Sequence, residues 1–187
     1  MRSTPCHDMI RTRIPPPVYA LCTAALIWLV NQYAPILRWV PAPWNKAGWV
    51  LMALGFGLDL YSILTFIRSR TTVNPMQPNR ASQLVISGVY RLSRNPMYLG
   101  MVVLLSGWAW LLGTPIGLLA VWLFARILVI VQIGPEEIAL RDRFGESYVE
   151  YCQSVNRWIG RNSRPLCPTG GAIRSTASKS GAAKSDK

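Results

Sequence analysis

Four long apolar stretches dominate the chain, at residues 18–37, 48–67, 97–112 and 115–133. A bilayer core takes about 20 helical residues. Three stretches reach that length, and the third falls a little short, a gap that tilting or local thinning covers. Between the last two lie only Gly113 and Thr114, followed by Pro115. So short a link joins two antiparallel helices and little else, so they are predicted to form a tight transmembrane hairpin.

The pattern changes outside these stretches. Residues 68–96 form a long loop rich in turn residues, and loops of that length are uncommon unless functional. Over residues 135–159, Leu140, Phe144, Tyr148, Tyr151, Val155 and Trp158 recur at steps of three and four, which predicts an amphipathic helix with Gly145 as its weak point. Residues 161–187 are basic, rich in Ser, Ala and Gly, and expected to be disordered because they have nothing to bury. The predicted fold is all-α: a polytopic membrane protein with about four transmembrane helices and a C-terminal amphipathic cytoplasmic helix. It divides into a basic N-terminus (1–17), two N-terminal spans (18–67), a core of loop, hairpin and amphipathic helix (68–160) and the tail. Arg2, Arg11 and Arg13 before the first stretch imitate a signal peptide, but that stretch is long and opens on Pro15-Pro16-Pro17, so it reads as a retained anchor.

Charge fixes the orientation. With the N-terminus cytoplasmic and four spans, only Arg38 and Lys46 of the 20 basic residues fall in loops on the far side, and Arg126 lies within the fourth stretch. That asymmetry places both termini in the cytoplasm. Hydrophobic residues make up 51% of the 187 and charged residues only 15%, with a net charge of +12. A soluble nucleic-acid binder should not carry such long uncharged runs, so that class is set aside. The four cysteines show no metal-ligand spacing and His7 is the only histidine, which leaves a metal centre or a histidine-based triad poorly supplied.

Chemistry gathers at two junctions. Asn95-Pro96 suits the start of the third span, because Asn favours the N-cap and Pro the first helical position. The helix start and Arg91 and Arg94 make an anion site, or else simply begin a helix and anchor it to lipid headgroups. At Gly134-Pro135-Glu136-Glu137 the carboxylates complement a helix dipole, or act with Asn95 and the arginines, since the hairpin returns them to the same level. Such a cleft would suit a zwitterionic ligand carrying hydroxyls. Asp59 and Arg126, ionisable groups within spans, pair with each other, or Asp59 lines a polar pocket. Tyr98 is either an interfacial aromatic or part of the cleft, and Gly100 and Gly107 provide small faces for close helix contact.

TTVNP (71–75), GVYRLSRNPMYLG (88–100) and PEEIALRDRFGESYVEYCQSVNRWI (135–159) resemble the isoprenylcysteine carboxyl methyltransferase family of integral membrane enzymes, its bacterial branch most closely, and are similar to phospholipid methyltransferases. The resemblance implies a bacterial inner-membrane enzyme, with residues 68–160 as its methyltransferase core. It implies S-adenosylmethionine as cofactor, bound by Arg94, Asn95, Pro96, Tyr98, Gly100, Glu136 and Glu137, and no metal. It assigns no catalytic residue, because Asn95 stands where the eukaryotic enzymes have histidine and asparagine is no base near neutral pH. The implied activity is methylation of a lipophilic or small acceptor (a carboxylate, thiol or amine) at the cytoplasmic face of the bilayer. The other reading is a non-catalytic membrane protein of the same fold that binds an anionic ligand or partner.

Overall fold

The computed structural model describes residues 14–33, 39–68, 84 and 86–160. These residues form six α-helices: α1 (Pro16–Tyr33), α2 (Ala47–Arg68), α3 (Pro96–Leu112), α4 (Pro115–Leu128), α5 (Gly134–Phe144) and α6 (Glu146–Ser154). The 71–75 motif, most of the 68–96 loop and the 161–187 tail lie outside the described residues. Helix α1 opens on proline, as a first turn allows. Its described length stops at Tyr33, before the predicted end at 37.

Among the described residues, two helices are long and apolar enough to cross a membrane, Trp44–Thr65 and Pro115–Phe144, and α3 is apolar but shorter. Only 17% and 33% of their apolar windows are buried within the chain, unlike the mostly buried core helix of a soluble protein. Leu54, Phe56 and Leu60 of α2, and Leu119, Trp122 and Ile127 of α4, all face outward. Apolar surface on this scale calls for lipid. Cys22 is likewise exposed, on α1.

Helices α2 and α3 pack through glycine. A Cβ placed on Gly55 would lie 2.6 Å from the Leu104 nitrogen, and one on Gly107 would lie 2.7 Å from the Gly48 oxygen. Small residues at these points let two backbones touch, which matters in lipid because apolar side chains there gain little from meeting each other. Asp59 falls on the same seam, with its carboxylate against Gly100. Of the two readings of Asp59 and Arg126, the mutual ion pair is absent among the described residues. Asp59 points into the α2–α3 seam, its Oδ1 buried without a hydrogen-bond partner, whereas Arg126 is exposed on α4.

The hairpin forms as predicted. Gly113 takes φ 68° and ψ 24°, the left-handed conformation that suits glycine, and its N–H donates to Ala109 and Trp110 carbonyls. Pro115 then starts α4. The core between α1, α3 and α4 is built from Ile27, Leu105, Ala109, Val121, Phe124 and Leu128.

Beyond α4 the structure departs from the sequence pattern. The amphipathic segment is not a separate helix beginning at Pro135. A π turn over Val129–Ile133 joins α4 to α5, giving one helix of 30 residues, Pro115–Phe144. The wider turn, in which the Gly134 N–H bonds the Val129 carbonyl, gives the proline ring room where a regular turn would clash. The helix breaks instead at Gly145 (φ 54°, ψ −125°), the predicted weak point. Helix α6 ends at Ser154, short of the predicted 159, and the chain turns extended at Val155. The predicted apolar stripe does pack: Tyr148, Tyr151, Cys152 and Val155 are buried, with Leu140 and Phe144 against them.

Candidate functional site

Helix α3 begins at Pro96, its first backbone bond running from the Leu99 N–H to the Asn95 carbonyl at 3.0 Å. Asn95 holds the N-cap position, yet its side chain makes no capping bond. Its Nδ2 donates instead to the Arg157 carbonyl at 3.2 Å, and its N–H donates to Ser93 Oγ at 3.1 Å. The side chain turns because the segment after α6 has arrived beside it. That segment is strapped across the α3 start by backbone bonds, from the Arg94 N–H to the Asn156 carbonyl (3.0 Å) and from the Gly160 N–H to the Leu92 carbonyl (2.9 Å). Ser93 Oγ adds a third bond, to the Arg157 carbonyl at 3.3 Å.

The strap delivers a guanidinium. Arg157 grips Glu137 with two nitrogens, Nε to Oε1 at 3.1 Å and Nη2 to Oε2 at 2.5 Å. Arg94 reaches the same carboxylate from just before α3, Nη1 to Oε1 at 3.4 Å, and donates to the Cys152 sulfur at 2.6 Å. The side chains of Glu137 and Arg94 are 3% and 2% exposed, and that of Arg157 is 28% exposed. A buried carboxylate survives only with such partners, and removing one side of a buried pair costs about 3–5 kcal/mol. The bonds to Glu137 also hold the Arg157 guanidinium more firmly protonated than usual.

Glu136 has different surroundings. The Tyr98 hydroxyl donates to its Oε2 at 3.0 Å, and Gln132 from the π turn bonds the same hydroxyl. Glu136 is only half-buried, whereas Glu137 next to it is buried. Tyr90 and Tyr148 close the surroundings, each with its hydroxyl driven up, first by burial and then by the carboxylate charges. They are neutral near pH 7 and offer aromatic faces and O–H groups. The Tyr151 hydroxyl fixes Tyr90 by donating to its carbonyl at 2.6 Å.

Of the residues expected from sequence, Arg94, Asn95, Tyr98, Glu136 and Glu137 are brought to one end of the bundle. Pro96 sets where α3 begins. Gly100 lies on the other side of α3, against Asp59 and Gly55 of α2. Arg91 is exposed. Sequence reasoning passed over Arg157, Gln132, Tyr90 and Tyr148. The signal for Arg157 was a cation next to the last residue of an apolar stripe, and for Tyr148 a place on the stripe that also fits a core. Among the described residues no cluster of His, Cys, Asp or Glu could hold a metal.

A helical membrane protein with a polar cluster at one end of a two-helix hairpin is the class this arrangement defines. The chain belongs to the phospholipid methyltransferase family, whose model matches residues 44–147. It is 32% identical over 112 residues to a probable protein-S-isoprenylcysteine O-methyltransferase of Oryza sativa subsp. indica, covering 60% of this chain and 59% of that protein. Protein-S-isoprenylcysteine O-methyltransferase B of Arabidopsis thaliana is 32% identical over 111 residues, 59% of this chain and 56% of its own length. A Haemophilus influenzae protein of unassigned function matches over all of its length, 36% identical across 63 residues, or 34% of this chain. The chain thus spans a little over half the length of its plant relatives. The resemblance seen in the sequence motifs is borne out at the level of the family.

Proposed function

We propose that this chain is a bacterial inner-membrane methyltransferase that uses S-adenosylmethionine, bound at the cytoplasmic end of α3, α4 and α5, and that four helices span the bilayer with both termini cytoplasmic. The observation that carries this reading is Glu136: a half-buried carboxylate, one oxygen held by Tyr98, beside the start of α3. Family membership supports methyl transfer, and the donor set suits the cofactor. Carboxylate and aromatic groups favour its amino, hydroxyl and sulfonium groups, and a helix start favours its carboxylate. S-adenosylmethionine supplies a methyl group already activated on a sulfonium sulfur.

In this reading the two glutamates expected to hold it take different parts. Glu137 and Arg94 are buried and spent on each other, so Glu136 is the carboxylate for ligand contact and Glu137 the one that organises the wall. Tyr98 orients Glu136, and Gln132 orients Tyr98. The surrounding tyrosines hold their protons too tightly to serve as bases, and Asn95 has no ionisable proton. An acceptor that arrives unprotonated therefore suits this site: a carboxylate, a thiolate or a neutral amine. The isoprenylcysteine named in the plant relatives is one lipophilic example, reaching the site from the bilayer.

Calorimetric titration of detergent-purified protein with S-adenosylhomocysteine tests this. Saturable binding is expected, weakened about tenfold or more in Glu136→Gln, as loss of a charge-assisted hydrogen bond predicts. No binding by folded parent protein at millimolar ligand would sink the proposal. Transfer of a labelled methyl group to membrane extract separates it from the non-catalytic reading, in which the partly exposed Arg157 would serve an anionic ligand.

A further inference from the structure

Among the described residues, Arg94 and Arg157 both pair with one carboxylate, Glu137, at the start of α3. Arg94 cannot offer its charge to a ligand: its side chain is 2% exposed and its Nη1 is shared between Glu137 and the Cys152 sulfur. Arg157 is placed otherwise. It spends Nε and Nη2 on Glu137, its side chain is 28% exposed, and Nη1 has no hydrogen bond to the described residues. Its backbone carbonyl is meanwhile fixed by Ser93 and Asn95, so the side chain springs from a rigid base.

We propose that Arg157 is the residue that takes the carboxylate of the cofactor's amino-acid end, with Glu137 holding the guanidinium in place and the 155–160 strap setting its position. This rests on the S-adenosylmethionine reading above. A guanidinium oriented by one carboxylate and open on its remaining nitrogen suits a second carboxylate well, because its planar fork loses little further freedom on binding. Arg157 lies beyond the 44–147 segment that the family model matches.

The test pairs protein and ligand changes. Binding of S-adenosylhomocysteine and of its carboxamide, which keeps every group except the negative charge, is measured calorimetrically on the full chain in detergent. Parent protein is expected to prefer the acid by about tenfold or more, as one charge-assisted bond implies. Arg157→Gln is expected to erase that preference while the carboxamide binds within about twofold of parent. If Arg157→Gln does not fold, Arg157→Lys keeps the charge beside Glu137, and an acid preference cut by at least threefold supports the assignment. A parent without acid preference overturns it. So does an undiminished preference in either variant, or an equal loss on both ligands, which marks Arg157 as structural only. A parent that binds neither ligand overturns the methyltransferase reading itself.

Discussion

At the residue scale, two adjacent carboxylates with the same side-chain chemistry have been given opposite tasks by what surrounds them. Glu137 is buried between two arginines, so Glu137→Ala leaves both guanidinium groups without their partner. A loss of about 3–5 kcal/mol is expected, read as a large drop in melting temperature in detergent. Glu136 instead accepts one bond from Tyr98, so Glu136→Gln should change melting temperature little while weakening cofactor binding. Both glutamates were legible as a pair in the sequence, but their division of labour was not. It depends on Arg157, twenty residues further along the chain, which meets Glu137 only because α6 ends early and the strap doubles back.

At the element scale, the hairpin and the break at Gly145 follow from local chemistry: a short Gly-Thr-Pro link, and a glycine at positive φ. Those were readable because turn residues act within a few positions of themselves. The joining of α4 to α5 was not. Pro135 signals a helix start, and only the packing of Gln132 and Ile133 against the bundle shows that a π turn absorbs it. Asn95 gave a similar half-answer, since its position at the cap is local and the direction of its side chain is set by a distant carbonyl. Glycines on α2 give a controlled comparison. Gly55→Leu should prevent the α2–α3 contact and yield protein that aggregates on size-exclusion chromatography, because even a Cβ meets backbone atoms there. Gly57→Ala, with open space around its Cβ, should be neutral or stabilise by up to about 1 kcal/mol.

At the scale of the whole molecule, apolar outward faces on α2 and α4 surround a polar cluster carried at one end. The proposed orientation puts that end in the cytoplasm, and the placement can be checked directly. A single cysteine introduced at Lys187 in a cysteine-free background should stay unlabelled by a membrane-impermeant maleimide in intact cells. One at Lys46 should label. The reverse pattern would put the cluster on the wrong side for a cytoplasmic cofactor.

The helix of Pro115–Phe144 has a consequence at this scale too. In the proposed orientation its first part meets lipid tails and its later turns carry Glu136 and Glu137, so bilayer and proposed site share one lever. A thicker or thinner membrane that changes the tilt of the first part would then shift both carboxylates relative to Arg94 and Tyr98, unless the π turn absorbs the change. Reconstitution into lipids of graded chain length should therefore change ligand affinity without any change in sequence.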